Sequence, residues 1–341
     1  MTRGWENPTP SDQTAAAGAR SWWRWIRLLG GAVVLAVVVL RLGAEPFLDG
    51  LRAVDLATLA LAAGIGLLTT VCCAWRWSLV ARGLGIGLPL GAAVAAYYRS
   101  QFLNTTLPGG MLGDVHRAVR HGRDVDDVGR GLRAVAWERT AGLVAFVAVT
   151  VIVLITVPSP LQSWILPAGT LLGVAVAAAI LLRTRSPHGS RRWTRIVAAA
   201  ADDIRNGLLA RSVWPKILLA SAVVVAGHTA TFVIAARATG AAATPIHLLP
   251  IAVLVLLAMV VPLGVGGWGP REGMAAWAFA AVGLGAAQGV AAATLYGVLT
   301  LAAALPGAAV LIVGIVDRRA GRVRPPTRSS GTVSADGIAH G

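Results

Sequence analysis

The sequence predicts an all-α polytopic membrane protein, and three observations carry that expectation. Apolar residues make up 56% of the 341 residues and charged residues only 13%, with a mean hydropathy of +0.70. A soluble domain of this length needs more charged surface. Six runs reach or approach the roughly 20 apolar residues that cross a bilayer as a helix: 26–42, 54–80, 132–157, 164–182, 217–236 and 289–316. Glycine and alanine crowd these runs, which lets helix backbones approach closely where no water drives association. The net charge of +15 is carried nearly all by arginine. The arginines flank the apolar runs, which is the pattern of cytoplasmic loops and not of a nucleic-acid footprint.

Residues 1–20 are polar and read as a disordered tail. Arg20, Arg24 and Arg27, interleaved with Trp22, Trp23 and Trp25, form a basic aromatic belt. That belt puts the N-terminus in the cytoplasm and makes the first run an uncleaved anchor. The run 26–42 exits near Gly43, and the mixed-charge stretch to Val54 reads as an outside loop. The run 54–80 returns, with Arg76 and Arg82 at its cytoplasmic end. Arg76, between Trp75 and Trp77, reads mainly as an interface anchor. Cys72 and Cys73, in the same run, read as packing residues. Next, 90–107 is a marginal apolar run cut by Pro108, Gly109 and Gly110. The charged stretch 114–133 that follows also belongs in the cytoplasm, so this segment enters and comes back as a re-entrant hairpin.

The run 132–157 exits, the uncharged stretch 158–163 lies outside, and 164–182 re-enters. The most basic loop, 183–216, is cytoplasmic. Within it, about 190–210 places Trp193, Ile196, Val197, Ala200, Ile204 and Leu208 on one face, which predicts an interfacial amphipathic helix. The run 217–236 exits, and 289–316 ends at Asp317, Arg318 and Arg319, ahead of a disordered basic tail at 320–341. The C-terminus is therefore cytoplasmic and the location is the plasma (inner) membrane.

Two arrangements fit the stretch between 236 and 289. It holds short apolar pieces at 247–263 and 274–284 around a glycine-dense break at 264–273. In the first arrangement this is a second hairpin, entering from the outside. The domain at 21–319 then has six spanning helices plus two re-entrant Pro/Gly-broken hairpins, and its halves, about 21–157 and 164–319, form an inverted repeat. In the second arrangement there are eight ordinary spanning helices. Inverted repeats with breaks in matching positions point to the substrate site of a transporter. No residue-level repeat links the halves, so the symmetry rests on charge and hydropathy.

Charges at membrane depth cost a few kcal/mol and mark function. One cluster holds Arg99, Gln101, Asn104, Thr105, Thr106, Pro108, Gly109, Gly110, Gly113, Asp114 and Arg117. Asp114 and Arg117 lie one helical turn apart and are placed to pair. The Pro-Gly-Gly break frees backbone N–H groups, which together with Arg99 and Arg117 make an anion site; the alternative is a solvated loop with an ion pair. A second cluster is Gly266, Gly267, Arg271 and Glu272. Glu272 suits a helix start, whereas Arg271 demands an anion or carboxylate partner. The third is Glu138 with Arg139; consecutive helical residues diverge, so Glu138 is expected to pair with an arginine elsewhere, for structure or for substrate. His228 reads as a hydrogen-bonded packing residue, with proton relay the alternative. No zinc motif, Walker loop or nucleophile elbow is present, so no enzymatic activity and no metal or cofactor is expected.

Four stretches resemble the lysylphosphatidylglycerol synthase transmembrane, or flippase-like, family: Ala74-Trp75-Arg76-Trp77; Phe102 to Gly110 running into Gly113-Asp114-Val115-His116-Arg117; Trp137 to Leu143; and Gly266 to Gly273. The resemblance runs from about Arg27 to Arg319. It implies a domain that moves lipids or lipid-linked groups between leaflets. Family members with a fused aminoacyltransferase or glycosyltransferase domain differ from this sequence, so lysyl-lipid synthesis does not carry over. The reading is a transporter for an anionic lipid or polyprenyl-phosphate headgroup, with Arg99, Arg117 and Arg271 neutralising it and Asp114, Glu138 and Glu272 orienting them. A secondary transporter of a small soluble anion, and a non-transporting scaffold for a separately encoded transferase, are the alternatives.

Overall fold

A computed structural model describes residues 29–107, 110–163, 203–208, 210–261 and 263–319. Among these residues the regular elements are helices. The expected run 164–182 and most of the expected interfacial helix at 190–210 lie outside them. Helix α1 (Leu29–Leu42) turns through 97° at Gly43 into α2 (Glu45–Arg52). Gly43 has φ +78°, a conformation only glycine holds without strain. The stretch expected as an outside loop is thus a short amphipathic helix. Arg52 pairs with Glu45 and Asp49 on its exposed side, and Gly50 sits against Ala291 on the other. The sequence hid this helix because its charges look like those of a loop.

Helix α3 (Leu56–Gly83) starts at Asp55, whose carboxylate accepts from Thr58 N–H at 2.8 Å, while Thr58 reciprocates toward the Asp55 backbone. This reciprocal cap satisfies end groups that water would otherwise take. Helix α4 (Leu90–Thr106) begins after Pro89 and stops ahead of Pro108. Across the break, α5 (Leu112–Asp124) folds back on α4, with Gly113 against the Ser100 backbone. Helix α6 (Val128–Thr156) is capped by Asp127. A π-helical turn, Asp203–Leu208, is fastened to α6 where Asp203 accepts from Trp137 Nε1 at 3.0 Å and pairs with Arg133. Helices α7 (Trp214–Ala238) and α8 (Pro245–Ala258) follow, then a break, α9 (Pro270–Ala281), α10 (Ala286–Ala304) and α11 (Pro306–Arg319).

Four of these stretches are long and apolar enough to cross a membrane: α3, α6, α7 and the 31-residue stretch Ala286–Val316 formed by α10 and α11. The bent pair of α1 and α2 makes up to five. Little of their apolar surface is spent on the described core: 11% of the most apolar window of α6 is buried. Large side chains such as Leu40, Val144, Ile155 and Ile312 point outward. A helix apolar all round and outward-facing belongs in lipid. The protein is therefore an all-helical polytopic membrane protein that sits in the bilayer.

The other apolar helices are short. With 17 residues, α4 rises about 26 Å, and α8 with 14 residues about 21 Å. Each leads into a break and a shorter helix, 13 residues in α5 and 12 in α9. In the second break Gly264, Gly266, Gly267 and Gly269 all have φ between +55° and +100°, which explains the glycine density seen in the sequence. The expected piece 247–263 accordingly loses its helix after Ala258. The two breaks meet. A methyl group on Gly266 would come within 2.7 Å of the Thr105 carbonyl oxygen at the end of α4.

Candidate functional site

A network of charges lies on the inner faces of α3, α5 and α6. Its centre is Glu138, with no exposed surface, on a helix that is apolar over most of its length. Glu138 Oε1 accepts from Arg76 Nε at 3.1 Å and Nη2 at 2.6 Å, and Oε2 accepts from Arg117 Nη2 at 3.0 Å. Arg76 also donates to Ser221 Oγ on α7 at 3.0 Å. Arg117 donates on to Asp114 Oδ1 at 2.9 Å, and Arg139 donates to the same oxygen at 2.7 Å. Asp114 further accepts from Ser100 Oγ and Asn104 Nδ2, both at 3.0 Å, while Asn104 Oδ1 accepts from Gly113 N–H at 2.8 Å. The first turn of α5 is thereby clamped to α4.

Three guanidiniums, Arg76, Arg117 and Arg139, share two carboxylates, Asp114 and Glu138. Among the described residues the network holds one arginine more than carboxylates. Arg117 is stacked between Trp77 and Tyr97, its Cζ 4.4 Å and 4.3 Å from the ring centroids, so aromatic faces carry part of that excess. Gly142 on α6 makes room for Arg76: a Cβ there would lie 2.7 Å from Nη2.

The second break is built around another buried arginine. Arg271 Nε donates to Glu272 Oε1 at 2.9 Å, and Glu272 Oε2 accepts from Gly269 N–H at 2.7 Å at the start of α9. The guanidinium of Arg271 lies 4.3 Å from the Trp268 ring and 5.8 Å from that of Tyr296. Gly297 gives it space, as Gly142 does for Arg76. This pair is neutral and closed on itself.

Between the two breaks lies a cavity of about 730 Å³, walled by α3, α4, α5, α6, α7, α8 and Tyr296 of α10. Polar groups line it, Thr69, Thr70, Arg76, Tyr97, Gln101, Asn104, Asp114, Arg139, Ser221 and His228, and so do apolar ones, Leu132, Val135, Leu143, Phe146, Val224, Val225, Leu256, Met259, Val260, Val261 and Leu263. Helix α6 supplies both kinds, because Leu132, Ala136, Arg139, Leu143 and Phe146 recur at helical spacing along one stripe. Arg139 sits mid-stripe with 45% of its side chain exposed, against 5% for Arg76 and none for Arg117.

Asn104, Gly110, Asp114, Arg139, Gly266 and Gly267, all expected from the sequence, line this cavity. Gly113 and Arg117 lie behind its wall, in the network, and Glu138 is the hub. Arg99 is buried on α4. Arg271 and Glu272 are buried in the second break; Arg271 lies near Tyr296 and donates its N–H to the carbonyl of Gly267, and both of those residues line the cavity. Pro108 and Gly109 lie outside the described residues. The sequence reading of Arg76 needs correction: it is 4% exposed and partners Glu138, not an interface anchor. Flanking tryptophans look alike whether they mark a headgroup layer or a packed arginine. The signal that identifies Arg76 is Glu138, whose charge demands a cation from another helix. Tyr97 and Ser221 were also unmarked in the sequence, whereas Gln101, expected in the first cluster, does line the cavity. His228 does have the expected hydrogen bond, Nδ1 to Tyr296 O–H at 3.2 Å.

A comparison with protein families matches residues 24–307 to the family described as Lysylphosphatidylglycerol synthase TM region. Neither the curated proteins nor the solved structures contain a match. The match covers most of the chain, from the first apolar run to the start of α11, and includes every residue of the charge network. The chain belongs to the lysylphosphatidylglycerol synthase transmembrane-region family.

Proposed function

We propose that this protein moves an anionic lipid, or a polyprenyl-phosphate, between membrane leaflets by passing its headgroup through the cavity, without a chemical step. One observation carries the reading: among the described residues the charge network holds one arginine more than carboxylates, and it opens onto a cavity that apolar side chains also line. A buried excess charge is costly and calls for an anion. Apolar side chains in the same lining call for a ligand that also has an apolar part. A small soluble anion uses only the polar groups of this lining, which favours the lipid.

Arg139 meets the headgroup first, being the exposed cation of the network. Binding draws it from Asp114, which keeps Arg117, Ser100 and Asn104 as partners. Arg76 lies deeper on the same cavity wall and receives the headgroup next. In this reading α4–α5 and α8–α9 are re-entrant hairpins that enter from opposite faces and meet at Thr105 and Gly266. Their lengths, each short of the roughly 30 Å hydrocarbon layer, support it. Both termini are cytoplasmic, the protein resides in the plasma membrane, and Arg271 with Glu272 holds the second break in shape.

The test is reconstitution in phosphatidylcholine vesicles with acyl-labelled phosphatidylglycerol or acyl-labelled phosphatidylcholine as tracer. Translocation is read by dithionite bleaching of the outer leaflet. The expected result is faster movement of the anionic tracer, undiminished by excess soluble glycerol phosphate. Equal rates for both tracers, or no rate above empty vesicles, sinks the lipid-anion reading. Abolition by glycerol phosphate moves the assignment to a soluble anion.

A further inference from the structure

The charge network leaves one polar part of the cavity unused. His228, near the middle of α7, faces the same cavity as Arg76 and Arg139 and donates to or accepts from Tyr296 O–H through Nδ1. Among the described residues no other group hydrogen-bonds to its ring. Behind it lies a second, much smaller chamber of about 10 Å³, which shares His228, Thr69 and Gln101 with the main cavity and adds Thr231 and Thr300. That is the room one water needs.

The lining of this chamber has a direction. Thr69 donates its hydroxyl proton to the Gly66 carbonyl, Thr231 to that of Gly227, and Thr300 to those of Tyr296 and Gly297. Each hydroxyl has spent its one proton on its own helix and can only accept from the chamber. Gln101 Oε1 has already accepted from Thr70 and keeps a further lone pair, while its Nε2 carries the donors of the lining outside the imidazole. Acceptors gathered beside an imidazole suit a protonated ring, or a water that carries the proton to it.

The charged and titratable groups around His228 set when a proton is welcome. Helix α3 brings Cys73 and Arg76 to the cavity, α4 brings Tyr97, α5 brings Asp114 and α6 brings Arg139. Helix α10 brings Tyr296, with the Arg271–Glu272 pair behind it, while α8 brings only Leu256. In the empty cavity the uncompensated cation of the network repels an added proton. A bound anion removes that repulsion. The proton and the anion therefore favour each other by linkage.

We propose that His228 is a proton site, fed through the threonine-lined chamber, and that one proton crosses with each anionic headgroup. This rests on the headgroup reading above and gives it an energy source. Proton and anion move together, so the anion accumulates in the leaflet facing the more alkaline side. For one proton per single negative charge, about one pH unit across the membrane sustains up to about a tenfold leaflet ratio.

The experiment uses the full-length protein in phosphatidylcholine vesicles with acyl-labelled phosphatidylglycerol and an imposed pH gradient. The readout is the leaflet ratio with the gradient divided by that without it, which does not depend on basal speed. Wild type is expected to accumulate tracer on the alkaline side severalfold, to reverse when the gradient is reversed, and to ignore a sodium gradient. The His228→Gln variant is expected to give a ratio of one, and Tyr296→Phe an intermediate ratio. Wild type that moves the tracer but ignores the pH gradient overturns the proton site and leaves the headgroup reading standing. A response driven by sodium, or one that His228→Gln keeps in full, overturns the proton site in the same way. Wild type that does not move the tracer at all removes both.

Discussion

Two residues one position apart on α6, Glu138 and Arg139, are expected to separate stability from transport. Glu138 has no exposed surface and accepts from Arg76, Arg117 and, at 3.4 Å, Tyr97 O–H. The Glu138→Gln change keeps the shape and removes the charge, leaving three guanidiniums against Asp114 alone. Breaking a buried ion pair from one side costs about 3–5 kcal/mol, which corresponds to a fall in the unfolding midpoint on the order of 10 °C. Arg139→Gln is different. Its side chain is 45% exposed, and Asp114 retains Arg117, Ser100 and Asn104 when it goes. The cost to stability is about 1 kcal/mol or less, as for exposed pairs. Its cost to transport is larger: one charge-assisted hydrogen bond to the headgroup is worth about 1.5–3 kcal/mol, or roughly 10–100-fold in binding. The assays are thermal unfolding of the purified protein in detergent and dithionite-read translocation of labelled phosphatidylglycerol. Equal midpoints for the two variants, or Arg139→Gln moving the tracer at the wild-type rate, would refute the division of roles.

Gly142→Ala pushes a methyl group to 2.7 Å from Arg76 Nη2 and is expected to cost about 1–3 kcal/mol; Gly64→Ala on α3, with nothing within 4 Å, is expected to stabilise by about 0.5–1 kcal/mol, both read as unfolding midpoints. Cys73 lines the cavity with its Sγ 3.9 Å from Arg76 Nη2. In a Cys72→Ser background an anionic thiosulfonate is expected to label it faster than a cationic one, by about tenfold if the excess charge is worth about 1.4 kcal/mol there; equal labelling rates contradict a cationic cavity. Arg271→Met and Glu272→Gln are each expected to cost about 3–5 kcal/mol singly and much less together, because a buried pair is dearer to split than to remove. An additive double variant would show that the two side chains do not act as a unit.

The spanning helices were legible because hydropathy over about 20 residues is a local property that lipid reads directly. α3, α6, α7 and the stretch Ala286–Val316 fall within a few residues of the runs 54–80, 132–157, 217–236 and 289–316. The pairing of Asp114 with Arg117 was legible for the same reason, being one helical turn apart. Long-range partners were not. Arg76 and Glu138 are 62 residues apart, and Arg76 and Ser221 are 145 apart, so only packing brings them together. The partner of Arg271 was missed for the opposite reason. It is the next residue, and helical geometry turns neighbours apart, but Glu272 reaches back to cap Gly269 and brings its carboxylate to Arg271. The role of Arg139 needed the cavity, since nothing in the sequence distinguishes a half-exposed arginine from a sealed one.

The two halves are alike in packing and unlike in charge. In each, an arginine guanidinium nests over a glycine of a long helix, Arg76 over Gly142 and Arg271 over Gly297. In each, a break-associated arginine lies against a tryptophan and a tyrosine, Arg117 by Trp77 and Tyr97, Arg271 by Trp268 and Tyr296. Yet Arg271 is balanced by one carboxylate, whereas the first half sets three arginines against two. The packing is shared without the charge, because small and aromatic residues suffice to hold a buried guanidinium. On the proposed reading the same contrast places the ligand: a balanced pair loses by separating to meet an anion, while an unbalanced network gains, so a headgroup would belong on the side of Arg139 and Arg76.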